Sequence, residues 1–175
     1  MGRRRHVAGS GSFTGSPQLA SCIGEPTQLT QYTPPQVDSP RFQDKNGSEV
    51  VENSISIYPS AKYAQEEYAA LSSHKTAGCI SALFNDLSGS GSSGNSGAPA
   101  AKVSVRKLAS PGGTGAFAID TSGSSAGTST STRTEMELLY FVRGKLGDAI
   151  DVLSFGSPPP PSFTQHLLSV AQSRL

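Results

Sequence analysis

Two cysteines, Cys22 and Cys79, and a serine, an aspartate and a histidine in hydrolase order are the residues here whose types and spacing could do chemistry. Each cysteine sits at the edge of an apolar helical pattern, and the chain has no third thiol. Joined to each other they would close a loop of about sixty residues, which by chain entropy stabilises a fold by about 4 kcal/mol. Such a bond persists in an oxidising compartment, so a structural disulfide points outside the cytosol. Two other readings stay open. Leu19-Ala20-Ser21-Cys22 fits the short box before a lipidated cysteine, with Arg3-Arg4-Arg5 as the basic start of a leader. Residues 6–17 lack the roughly 7–15 apolar residues a signal peptide requires, and a lipid on Cys22 would leave Cys79 alone. Two free buried thiols are the third possibility. The leader that export needs is absent from this chain and is expected to have been trimmed or to lie upstream of Met1.

Gly123-Ser124-Ser125-Ala126-Gly127 satisfies G-x-S-x-G, and Asp151 and His166 follow in the chain order of an α/β-hydrolase triad. That chemistry needs the serine on a rigid strand-to-helix elbow in a parallel sheet. Ser125 instead lies in a Thr/Ser tract ahead of a hairpin, and Asp151 and His166 read more simply as solvent-facing residues. A serine hydrolase using Ser125, Asp151 and His166 is therefore the alternative, not the leading expectation. Gly89, Gly91 and Gly94 satisfy G-x-G-x-x-G, but a dinucleotide site needs a strand before that motif and a helix after it, and here a helix precedes it. His6, His74 and His166 are scattered, so no zinc set with ligand spacing arises, and no cofactor is expected. Glu66 and Glu67 are adjacent on a helix, and Glu135 with Glu137 reads as an exposed polar strand face.

The elements that must position these residues follow from periodicity. Residues 1–15 are Gly/Ser-rich and expected as a disordered tail, followed by one α+β domain over 16–175. Ser16-Pro17 starts a short helix to Ile23, stopped by Gly24, and 25–36 reads as loop. A short edge segment is expected at 39–42. Val51, Asn53, Ile55 and Ile57 alternate with polar residues, which predicts a strand over 49–58. Pro59-Ser60 then caps a helix in which Ala61, Ala64, Tyr68 and Leu71 form the apolar stripe while Lys62, Gln65, Glu66 and Glu67 face water. Thr76 caps a second helix carrying Cys79, Ile80, Leu83, Phe84 and Leu87. Flexible Gly/Ser-rich loops are expected at 88–99 and 121–131. Strands are predicted near 102–106, 116–120, 133–142 and 148–155, and Pro158–Pro161 introduces a last helix bearing Phe163, Leu167, Val170 and Ala171. Short links between the late strands mean hairpins, hence an antiparallel sheet of about five strands. Leu139 and Phe141 oppose Met136, Leu138 and Tyr140, so that strand is apolar on both faces near its end, as a central strand covered by helices on both sides, or a groove, would be.

Bulk composition narrows the partners. Fourteen basic residues against thirteen acidic leave a net charge of +1, so no strong field draws nucleic acid or anionic lipid. No run approaches the roughly 18 apolar residues of a spanning helix.

Val51-Glu52-Asn53-Ser54-Ile55-Ser56-Ile57-Tyr58-Pro59-Ser60-Ala61, then Ala64, Tyr68, Leu71 and Ala77-Gly78-Cys79-Ile80, resembles secreted actinobacterial lipoproteins and the extracellular sensor domains of mycobacterial PknH-type receptor kinases. The kinase sensor domains carry two disulfides and a tryptophan, whereas this chain has two cysteines and no Trp. The single-disulfide lipoproteins with a PsbP-like α/β/α sandwich are the nearer likeness. That resemblance implies an antiparallel sheet flanked by helices on both faces, a ligand cleft and no catalytic residues. The expected function is thus an extracytoplasmic, non-enzymatic binding or sensor domain. Its cleft would lie near Tyr68, Tyr140, Phe141 and Phe163 and take a small apolar ligand or cell-envelope component. A structural protein-interaction module is the other alternative.

Overall fold

A computed structural model of the chain describes residues 17–26, 29, 32–89, 101–109, 115–125 and 132–174. Their order is α1 (Pro17–Ile23), β1 (Gln36–Asp38), β2 (Phe42–Gln43), β3 (Glu49–Ile57), α2 (Ala61–Leu71), α3 (Thr76–Gly89), β4 (Lys102–Leu108), β5 (Ala116–Ser125), β6 (Thr132–Arg143), β7 (Leu146–Phe155) and α4 (Pro161–Arg174). The strands form one antiparallel sheet in the order β1-β3-β7-β6-β5-β4, with β2 also paired to β3. The fold is α+β, and its sheet has seven strands because two very short ones, β1 and β2, extend the outer edge of β3.

β6 sits in the middle and explains the two-sided packing. Leu138, Tyr140 and Val142 join Phe117, Ile119 and Ala149 in a core shared with Leu19, Ile23, Ala64, Leu71, Cys79 and Ile80 from α1, α2 and α3. Leu139 and Phe141 point the other way and join Ala116, Ala118, Ile150 and Val152, against which Leu168, Phe163, Leu167 and Ala171 of α4 pack. Strand alternation thus puts one apolar layer on each face. The hairpin between β6 and β7 closes at Arg143 and Leu146 around Gly144, whose φ of 58° is costly for any residue with a side chain.

Local signals place the helices. The Ser60 side chain accepts from the Tyr63 amide at the start of α2, and Pro161 opens α4 where its missing N–H costs nothing. Thr76 begins α3, but its hydroxyl donates to the Ala70 carbonyl, tying α3 to the end of α2 instead of capping its own helix.

The Cys22 and Cys79 sulfurs are bonded at 2.07 Å with Cα atoms 5.7 Å apart, joining α1 to α3. No helix among the described residues is long and apolar enough to cross a membrane.

The expected flexible tract at 121–131 is corrected in its first part. Thr121 to Ser125 continue β5, pairing with Met136 down to Thr132 on β6. Their weak strand preference is overridden by a neighbouring strand that offers a complete ladder. Residues 1–15, the rest of that tract at 126–131 and the other tract from 90 to 99 lie outside the described residues.

Candidate functional site

The four aromatic residues expected to line one cleft are divided by the sheet. Tyr68 and Tyr140 lie on the α2 side, both against Phe117, with ring centroids 5.3 and 5.5 Å from it. Phe141 and Phe163 lie on the α4 side. A single cleft shared by all four is therefore not formed, because Tyr140 and Phe141 are consecutive strand residues and must face opposite ways.

The triad residues do not converge either. Asp151 pairs with Leu138 on the face covered by α1, α2 and α3, whereas His166 is exposed on α4 on the other side. Ser125 ends a strand paired to Thr132, not an elbow leading into a helix. Of the second glycine motif only Gly89, the last residue of α3, is described. No group of three or more histidine, cysteine or acidic side chains that could hold a metal ion occurs among the described residues.

Two clusters of buried polar groups are present instead. Under α4, Glu137 is buried and receives hydrogen bonds from the Arg106 guanidinium of β4 and, at 2.7 Å, from the Thr164 hydroxyl of α4. Arg106 is also held by Asp120, Nε to Oδ2 at 2.9 Å. Register places Arg106, Asp120 and Glu137 on one face, since Arg106 pairs with Ala118, and Asp120 with Glu137. Burial raises the Glu137 carboxyl above its ordinary range, while Thr164 and Arg106 pull it down and Asp120 pushes it up again. Beside this cluster Arg106, Leu108, Ala109, Pro161, Thr164, Gln165 and Leu168 line an open recess of ≈ 60 Å³. Leu108, Ala109, Pro161 and Leu168 give it apolar walls, and of its polar side chains Arg106 is held by ion pairs and Thr164 by its bond to Glu137.

Under α2, Glu67 is 7% exposed, although adjacent to the half-buried Glu66. The Tyr58 hydroxyl donates to it, which favours its charge, but burial, helped by the Glu25 carboxylate, lifts the Glu67 carboxyl to about 7. The Tyr58 and Tyr140 hydroxyls lie 3.3 Å apart, and burial raises both phenols.

Both clusters were missed by sequence reasoning. Glu67 was assigned to solvent, yet it sits three residues after Ala64 and four before Leu71, so the helical period itself puts it on the buried stripe. Glu135 and Glu137, expected on an exposed face, are both buried; they lie on the face where α4 packs, and Thr164 of α4 reaches Glu137. A fourth buried acid, Asp148 on β7, accepts from the Asn53 amide and is pushed up to about 6 by burial.

No protein-family model matches the chain, and no curated protein does. A crystal structure of a Pseudomonas aeruginosa protein of unknown function is similar at a TM-score of 0.36 and 10% sequence identity, covering 82% of this chain and 81% of that one. A likeness of that degree assigns nothing to this chain.

Proposed function

We propose that the chain is a non-enzymatic binding domain that works outside the cytosol and engages its partner where α4 meets the sheet. The observation that supports this most is the recess of ≈ 60 Å³ beside Arg106. Arg106 is held on two sides by Asp120 and Glu137, so its remaining donors are oriented before anything arrives, which lowers the ordering cost of binding. Leu108, Pro161 and Leu168 supply apolar contact around it, and Thr164 and Gln165 supply polar contact. Sites that enclose a drug-sized ligand hold about 300–1,000 Å³. This recess suits a protruding end group, a short apolar stem with a polar tip, so a cell-envelope component anchored by one moiety fits better than a wholly buried ligand. The Cys22–Cys79 bond supports the compartment, since disulfides survive where thiols are not kept reduced.

A thermal-shift screen of the purified, oxidised protein against envelope glycan fragments and short amphiphiles tests the proposal. The expected result is a raised melting temperature with at least one class, lost in Gln165→Trp, where the larger side chain fills the recess. No shift with any class, or a shift that Gln165→Trp leaves intact, overturns it.

A further inference from the structure

On the other face of the sheet, α2 buries an acid among described groups that carry no positive charge. Glu67 faces Tyr58, which directly follows β3, Tyr140 of β6, and Glu25, two residues past α1. Tyr58 has one hydroxyl proton, and Glu67 accepts it. The 3.3 Å contact between the phenols is therefore donated by Tyr140 to Tyr58. The donors form a line from the centre of the sheet to the helix, ending on the carboxyl group. Ser56 of β3 also reaches Tyr58. The remaining charged groups on α2, Lys62 and Glu66, pair with each other at 3.7 Å.

The backbone is shaped around this line. A Cβ on Gly147 of β7 would stand 2.5 Å from the Tyr140 hydroxyl oxygen and 2.9 Å from Tyr58 Cε2. Only glycine leaves room for both phenols at that position, so the cluster is built into the packing between α2 and the β6–β7 hairpin.

We infer that α2 is seated on the sheet by a proton-operated latch: Glu67 is protonated when the contact is closed, and its ionisation loosens the contact. A carboxylate taken out of water needs a cation or several donors to compensate. Glu67 has one phenol donor, and the Glu25 carboxylate opposes its charge. Neutral Glu67 fits the site, and ionised Glu67 draws water or withdraws from it. Burial holds its titration at about 7, so the latch works across the change from mildly acidic to neutral surroundings. Cys22 keeps α1 on α3 throughout, which confines the loosening to α2, Tyr58 and the segment carrying Glu25. This site lies on the opposite face from the recess beside Arg106 and does not depend on it.

Carboxyl-carbon and amide NMR of the full, oxidised chain between pH 4 and 9 tests the inference. The expected result is a Glu67 midpoint near neutrality, with the Tyr58, Tyr140 and Gly147 amides shifting at that same midpoint. Glu67→Gln should abolish their shift and hold them at their acidic positions. Tyr58→Phe, which keeps the carboxyl and removes its donor, should move the midpoint to higher pH. A Glu67 midpoint near the ordinary 4.5, amides that ignore it, or a Tyr58→Phe midpoint that stays put or falls would each overturn the latch.

Discussion

On the side of α1, α2 and α3 the sheet is covered by three helices, two of them joined by a covalent bond between Cys22 and Cys79, and among the described residues Glu67 there meets only phenols and another acid. On the side of α4 one helix does the covering, with no covalent tie, and Glu137, one of three buried acids on that face, meets a guanidinium and a hydroxyl. Both carboxyl groups are raised by burial, but Glu137 has opposing charge to draw it back and Glu67 does not. The contrast teaches that burial alone does not decide what an acid does in a fold. A buried acid with a cation latches elements together over a wide pH range. One without a cation makes the contact depend on pH.

The largest effect expected is on the covalent side. Cys22→Ser with Cys79→Ser should cost about 4 kcal/mol in denaturant unfolding, from loop-closure entropy over a separation of 57 residues. Equal stability of the oxidised protein and the double variant would erase the difference between the two faces.

The pH dependence comes next. The native Glu67 value lies above the unfolded one, so the folded state binds this proton more tightly. Its contribution is fully present below about 4.5 and is lost as pH rises to about 7, on the order of 3 kcal/mol in all. Asp148 and Asp151 are also raised, each to about 6, and act with the same sign in a lower window. Asp148 and Asp151 titrate alike in both proteins, so melting curves of wild type and Glu67→Gln should separate progressively between about pH 4.5 and 7, with the variant flatter.

Gly147→Ala should destabilise by about 2 kcal/mol, because the new methyl group overpacks the two phenols. Tyr140→Phe in the same chain should recover part of that loss, since the hydroxyl in the way is removed. On the α4 side, Arg106→Ala should cost about 1 kcal/mol near neutral pH, the pair being partly open to water. Loss of the cation leaves Glu137 with Thr164 alone and should raise its midpoint, visible by carboxyl NMR. Lys62→Ala removes an exposed pair at 3.7 Å and should change stability by only a few tenths of a kcal/mol.

Much of the architecture was legible in the residues. The alternation in β3 and β6, the cap before α2 and the proline run before α4 were readable. Of the two explanations open for a two-sided β6, a covered central strand or a groove, the packing shows the covered strand. β1 was not legible, since three residues with no apolar pattern form a strand only because β3 offers an edge. The late half of β5 was hidden for the same reason: Gly123 and its serine neighbours have poor strand preference, and pairing with β6 decides them. Nor could the recess be read, because Arg106 and Thr164 are distant in sequence and meet only through α4 packing back on the sheet.

Taken alone, the order of residues determined the periods, hence which segments are helix or strand and which side chains share a face, because those are local consequences of backbone geometry. It also supplied the two cysteines that bond. Tertiary structure decided which acids are buried, what faces each of them, and that Tyr140 and Phe141 serve opposite layers. Those outcomes depend on contacts between segments far apart in the chain, where desolvation and a neighbour's charge, not local propensity, set the energy.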